Sequence, residues 1–146
     1  ESPRRTPEYV TRKVTQAVAR IALGQQEKLV LGDLSAMIDW GYAREYMEAA
    51  WQIMQCREPN DFIIATGESH SVKEWVQEAF SAVGLKADDY LVSDSSLFRP
   101  SNTSTLIGDI SKARKVFGFE PKIDFYKLVR LMVDADLETE RMRSHK

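Results

Sequence analysis

The chain has one cysteine, Cys56, in 146 residues. No internal disulfide can form, so a cross-linked secreted scaffold is excluded and a reducing, cytoplasmic setting is the expectation. Cys56 beside Arg57 reads as a partly buried thiol at a helix end, not a reactive one. Histidine is almost as scarce. His70 and His145 lie far apart, neither in a metal-ligand spacing, so no zinc site is expected. No apolar run approaches the roughly 20 residues of a membrane span, and no signal-peptide pattern opens the chain. Charge of neither sign dominates: 20 Lys and Arg oppose 22 Asp and Glu, a net −2, which argues against nucleic acid or a membrane surface as partner. Glycine is sparse too, and no glycine-rich cofactor loop is present.

What remains is an ordinary globular composition, 43% hydrophobic and 29% charged, long enough for one domain with a core. The basic residues are uneven. Arg4, Arg5, Arg12, Lys13 and Arg20 crowd the first twenty positions against Glu1 and Glu8. Such a cluster is either a solvated face or one that meets phosphates. The opening Glu1-Ser2-Pro3-Arg4-Arg5 has no methionine and reads as the middle of a loop.

Periodicity predicts an α/β, helix-rich chain with three or four short strands. Thr6-Pro7-Glu8 is a helix-start signal, followed by Val10, Val14, Ala17, Val18 and Ile21 at helical spacing and Gly24 as a stop. Residues 29–31 read as a short strand. A second helix is predicted over 42–55, burying Ala43, Tyr46, Met47, Ala50 and Met54. Residues 61–66, DFIIAT, read as a strand covered on both faces. Ser71-Val72-Lys73-Glu74 matches a capping box before Val72, Trp75, Val76, Ala79, Phe80 and Val83. A short strand is predicted at 90–92 and a loop over 93–105. Asp109 is expected to cap a helix over 111–117 closed by Gly118, and a last helix to start near Asp124, fraying from Arg141. Trp40, Trp51 and Trp75 are expected in the core, and Asp88-Asp89 in a solvated loop.

One family resemblance runs through nearly the whole chain. Glu1-Ser2-Pro3-Arg4-Arg5 with Tyr9-Val10-Thr11-Arg12-Lys13-Val14 resembles the "NHESPRR…FVTRKI" segment of the GDP-mannose 4,6-dehydratase family, among the extended short-chain dehydrogenase/reductases. Leu31-Gly32-Asp33-Leu34 and Asp39-Trp40-Gly41 are similar to its "LGN…RDWG", and Glu45-Tyr46 stands at its helix "DY". Ile64-Ala65-Thr66-Gly67-Glu68 resembles its "VIATGE", continued by Ser71-Val72. Phe98-Arg99-Pro100 resembles its "YFRP". Asp109, Lys112-Ala113, Phe117-Gly118-Phe119 and Pro121 are similar to the "D…KA…LGWKP" of extended reductases.

The resemblance implies a Rossmann-type enzyme whose C-terminal, sugar-nucleotide-binding portion spans residues 1–146. The family oxidises the hexose C4 of GDP-mannose with NADP, eliminates water across C5 and C6, and returns hydride to C6. The product is GDP-4-keto-6-deoxy-mannose. The family's catalytic Ser/Thr, Glu, Tyr and Lys and its cofactor loop match no residue here, so no catalytic residue is assigned. Arg99 falls on the arginine that meets the diphosphate, a task suited to a planar, forked cation. Arg5 falls on the arginine on the NADP phosphate side, and Arg4 beside it is structural or an intersubunit contact. Lys13 falls on the helix bordering the nucleotide, and Leu31 and Gly32 near the base. A solvated lysine and a core leucine are the alternatives there.

Two positions depart from the family. Ile38 stands where it has arginine, and Asn102 where a glutamate holds ribose hydroxyls. Loss of charged contacts predicts weakened nucleotide affinity. Tyr9 and Lys13 have the Tyr-x-x-x-Lys spacing of dehydrogenase catalysis, but the tyrosine replaces a family phenylalanine in another helix, so the match is chance. The implied partners are a GDP-sugar, an N-terminal cofactor domain or partner chain, and a second copy in a homo-oligomer. Residues 61–66 would otherwise leave an apolar edge without neighbours. Three further readings stand beside this one: a non-catalytic nucleotide-sugar or regulatory module, a protein-interaction remnant, and a GDP-6-deoxy-4-keto-mannose reductase fragment.

Overall fold

A computed structural model describes residues 1–97 and 107–144. Its centre is three helices, α1 (Val10–Ala22), α3 (Val72–Ala82) and α5 (Phe125–Ser144), packed on one another and on a short parallel sheet. The sheet pairs β1 (Leu29–Leu31) with β4 (Leu91–Ser93), Leu29 opposite Leu91 and Leu31 opposite Ser93. A second, antiparallel pair joins β2 (Met37–Ile38) to β3 (His70–Ser71). α2 (Ala43–Met54) follows β2 and precedes β3 along the chain, and α4 (Ser111–Phe117) precedes α5.

The helical stripes seen in the sequence make the core. Val14 and Val18 of α1, Val76 and Phe80 of α3, and Leu128, Val129, Met132 and Val133 of α5 are fully buried. Burying each such side chain contributes about 1.5–3 kcal/mol. Trp40 and Trp75 meet edge to face at 5.0 Å beneath Phe125. Of the buried polar groups, Trp75 Nε1 and Arg12 Nε make no hydrogen bond, while the charges themselves are paired. The Arg12 guanidinium meets the Asp136 carboxylate at 2.7 Å, and the Thr15 hydroxyl donates to the same carboxylate at 2.7 Å, fastening α1 to α5. Desolvation is the larger influence on Asp136 and raises its pKa; Thr15 and Arg12 oppose it.

The helix ends follow the predicted chemistry in most places. Ser71 and Glu74 form the reciprocal capping box of α3. Asp124 accepts from the Lys127 amide at 2.8 Å ahead of α5; at α4 the cap position falls to Ile110, with no side-chain cap bond, and Asp109 one residue earlier accepts from the Ser111 amide at 2.9 Å. Gly118 closes α4 in the left-handed conformation, φ 71°, which glycine enters without strain. At α1 the expectation is corrected. The helix begins at Val10, not at the Thr6-Pro7 signal, because residues 2–9 are taken up by two turns closed by Arg5 N–H to Ser2 C=O and Tyr9 N–H to Thr6 C=O. The last helix is also firmer than predicted, running to Ser144, whose hydroxyl accepts from Gln25 at 2.6 Å.

Two larger corrections share one cause. In α2 the apolar positions are largely uncovered: Met47 is 66% exposed, Trp51 60% and Met54 73%, with Ala50 also exposed and Ala49 alone fully buried. Residues 61–66 form no strand, and Ile63 is 57% exposed. Their apolar pattern is that of buried elements, yet they are covered only in part: Ala65 is buried and Phe62 meets the Phe117 ring at 5.2 Å, while Ile63 stays open.

Candidate functional site

The backbone of β1 and β4 ends on the same side, and a cleft of about 580 Å³ opens there. The crevice outside the carboxyl ends of parallel strands is where α/β sheets bind ligands. Leu31, Gly32 and Asp33 leave β1 into one wall, and Ser96 and Leu97 follow β4 into another. The first turn of α1 supplies Val10 and Lys13, with Glu8 and Tyr9 just ahead of it; Ile38 of β2 and Val72 of α3 close the far side. Gly32 is there for space: a Cβ would stand 2.6 Å from the Leu97 carbonyl oxygen, so only glycine lets the two loops approach.

Three of the sequence-predicted residues, Lys13, Leu31 and Gly32, therefore meet in one cleft together with the divergent Ile38. Leu31 is also 4% exposed and part of the main core, so its core and wall roles coincide. Lys13 donates to the Val30 carbonyl at 2.9 Å, which ties α1 to β1. Arg5 stands apart from the lining. Its guanidinium lies 3.4 Å from the centre of the Tyr9 ring and pairs with Glu1 at 3.6 Å. Tyr9 thus faces Arg5 while Lys13 faces β1, and the dehydrogenase-like spacing of the two joins no shared chemistry. Arg99 and Asn102 lie outside the described residues. The sequence reading missed Glu8, Tyr9, Asp33, Val72 and Leu97 as cleft residues; their positions just beyond strand and helix ends carried the signal.

Beside the cleft, Asp39 organises the loops. Its carboxylate accepts from the Thr66 amide (2.9 Å) and hydroxyl (2.6 Å), the Gly67 amide (3.0 Å) and the Gly108 amide (3.4 Å). Burial, then the carboxylates of Asp39 and Glu45, push Tyr46 up to about 12, so it stays a neutral phenol at physiological pH. A smaller pocket of about 190 Å³ holds His70, stacked on Phe125 at 3.8 Å. Glu74 and Glu68 stand 3.6 Å and 3.9 Å from its ring nitrogens, beyond hydrogen-bond range. Among the described residues no group of three or more His, Cys, Asp or Glu is placed to hold a metal, and no helix is long and apolar enough to cross a membrane.

The same architecture occurs in larger solved structures. RMD from Pseudomonas aeruginosa, complexed with NADPH, superposes with a TM-score of 0.85 at 16% identity, covering 94% of this chain and 46% of that one. The dTDP-glucose 4,6-dehydratase of Bacillus anthracis, in complex with NAD, gives 0.78 at 19% identity over 97% and 43%. These likenesses define the fold that the chain shares, an α/β arrangement found in larger solved proteins. A family model described as GDP-mannose 4,6 dehydratase matches residues 1–132, and the chain belongs to that family. GDP-mannose 4,6 dehydratase 1 of Arabidopsis thaliana is 49% identical over 138 residues, which cover 94% of this chain and 38% of that protein. The Homo sapiens GDP-mannose 4,6 dehydratase is 41% identical over 158 residues, 97% and 42%. The chain spans about two-fifths of the length of the curated relatives it matches.

Proposed function

We propose that residues 1–146 are the C-terminal, sugar-nucleotide-binding portion of a cytoplasmic, NADP-dependent GDP-mannose 4,6-dehydratase. In this reading the chain holds GDP-mannose over the nicotinamide, supplies no catalytic residue, and works with an N-terminal cofactor domain or partner chain in a homo-oligomer. The observation that carries it is the cleft at the carboxyl ends of β1 and β4, which gathers Lys13, Leu31 and Gly32 in a family whose members are named for GDP-mannose.

The residues present fit the edge of a nicotinamide dinucleotide. Arg5 offers a guanidinium that is 39% exposed and held in orientation by Tyr9 and Glu1, suited to a phosphate. NADP, when bound, supplies the hydride exchange; this chain's residues orient the sugar nucleotide beside it. The uncovered face of α2 and the unpaired residues 61–66 support a cofactor portion lying across them, since both are apolar and the segment leaves backbone groups for an incoming strand. Arg99 and Asn102 are the proposed diphosphate and ribose neighbours.

Calorimetric titration of GDP-mannose into the chain, with UDP-glucose as control, tests the reading. Selective uptake of the GDP-sugar is expected. Uptake of neither refutes it and leaves a protein-interaction remnant; equal uptake of both refutes the GDP-sugar selectivity it requires. Turnover on mixing with the cofactor portion of a relative separates the dehydratase from the non-catalytic binding module.

A further inference from the structure

The two turns ahead of α1 bring Arg5 and Tyr9 together. Arg5 N–H closes the first on Ser2 C=O at 2.9 Å, and Tyr9 N–H closes the second on Thr6 C=O at 3.3 Å. Tyr9 then takes the cap position of α1 in extended conformation, and its carbonyl accepts from the Lys13 amide at 2.9 Å. Its ring is thereby anchored to a helix. The Arg5 guanidinium carbon lies 3.4 Å from the centre of that ring, and the Glu1 carboxylate stands 3.6 Å from Arg5 Nε. The ring face attracts the cation electrostatically. A free arginine side chain loses rotamer freedom when it takes hold of an anion. One already stacked has lost part of that freedom before the anion arrives. The Arg5 side chain remains 39% exposed, so phosphate oxygens reach its N–H groups. Tyr9, half exposed, also lines the cleft, which puts the stack at the cleft's rim.

We propose that Tyr9 is a positioning residue: the face of its ring, not its hydroxyl, holds the Arg5 guanidinium in the orientation that meets a phosphate of the dinucleotide cofactor. The inference rests on the cofactor reading of Arg5 above and goes beyond it to the residue that orients the cation. A ring that attracts and pre-orders an exposed cation contributes about three- to tenfold in affinity.

The Nε–H signal of Arg5 is followed by NMR in the full chain during titration with NADP and, separately, with GDP-mannose; its loss in Arg5→Ala assigns it. NADP is expected to shift the signal saturably, and GDP-mannose to shift it less. Tyr9→Phe is expected to bind NADP within about twofold of the unaltered chain, and the non-aromatic Tyr9→Leu and Tyr9→Gln about three- to tenfold more weakly. Affinities read from the ligand's own signals complete a double-variant cycle. With Arg5→Ala in place the ring has no cation to orient, so Tyr9→Leu should then change NADP affinity by less than about twofold. A merely structural role lowers affinity in both backgrounds. Tyr9 is half exposed and outside the core, and thermal melts establish that each variant is folded. A Tyr9→Leu that matches Tyr9→Phe, or a loss on Tyr9→Leu that persists beside Arg5→Ala, overturns the inference and leaves the cofactor reading of Arg5 standing. An Arg5 signal that NADP leaves unmoved overturns both, whereas the GDP-mannose and UDP-glucose titration judges the substrate reading independently.

Discussion

Asp39 is one side chain on which two separate pieces of backbone depend. It follows β2, and its carboxylate holds Thr66, Gly67 and Gly108 through four donors between 2.6 and 3.4 Å. Asp39→Asn keeps the shape but replaces one acceptor oxygen with an amine that faces donors. A hydrogen bond to a charged group contributes about 1.5–3 kcal/mol, and bonds sharing one acceptor add up to less than their sum. The expected loss is therefore about 2–4 kcal/mol, against a total stability on the order of 5–15 kcal/mol for a domain. Since each kcal/mol moves the midpoint of a chain this size by about 2–4 °C, melting should fall by roughly 5–15 °C. Circular dichroism melts give the global effect, and amide hydrogen exchange at Thr66, Gly67 and Gly108 gives the local one. Asp94→Asn, which weakens the local bonds to Ser96 at an exposed turn, is the control and should leave the melt close to that of the unaltered chain. A melt of Asp39→Asn matching that control, or unchanged exchange at the Thr66 and Gly67 amides, would refute the reasoning.

Asp136→Ala strands the Arg12 guanidinium between α1 and α5, and about 3–5 kcal/mol should be lost in urea unfolding. Asp136→Leu with Arg12→Met restores much of that loss, as an apolar pair does for a buried ion pair. Gly32→Ala drives a Cβ to within 2.6 Å of the Leu97 carbonyl, so the loops must part, at about 1–3 kcal/mol. Proteolysis should then find new cleavage near Leu97. Acid should loosen helix starts first. Bonds from Ser71 hold Glu74 below its ordinary 4.5, and bonds from Lys127 hold Asp124 below its ordinary 3.8. Both carboxyls are thus depressed in the folded state. Their contribution is present above those ordinary values and is lost as pH falls through the lowered ones. Glu74→Gln and Asp124→Asn should flatten the acid limb of the stability curve.

Most of the fold was legible because local chemistry and global packing agree along α1, α3, α4 and α5. The Ser71–Glu74 capping box and the Gly118 stop act within a few residues, and the apolar stripes of α1 and α5 are covered by each other inside this chain. The start of α1 was misread because a Thr-Pro-Glu signal states a preference, while the turns ahead of Tyr9 and the bond from Thr11 to Glu1 at 2.8 Å decide the geometry. The cleft was half legible. Leu31 and Gly32 were found through family likeness, whereas Asp33 and Val72 reach it from the parallel pairing of β1 with β4 and the seating of α3, which no local window reports.

The misreading of α2 carries more information than the successes. Met47, Trp51 and Met54 recur at helical spacing just as Leu128, Met132 and Val133 do in α5, yet one set is exposed and the other sealed. Periodicity tells which face of a helix is apolar and cannot tell whether the covering surface belongs to the same stretch of chain. Here residues 61–66, whose Ala65 packs in one cluster with Ala49 of α2, form no strand among the described residues and leave Ile63 exposed, as α2 leaves Met47, Trp51 and Met54. Monomeric proteins rarely leave such surfaces open. Relatives that match this chain over 38–42% of their own length have ample further polypeptide to lay across it. On the proposed reading the uncovered face and the cleft go together: this chain would form a ligand-facing wall, and the cofactor portion would both complete its hydrophobic layer and bring the chemistry to the ligand.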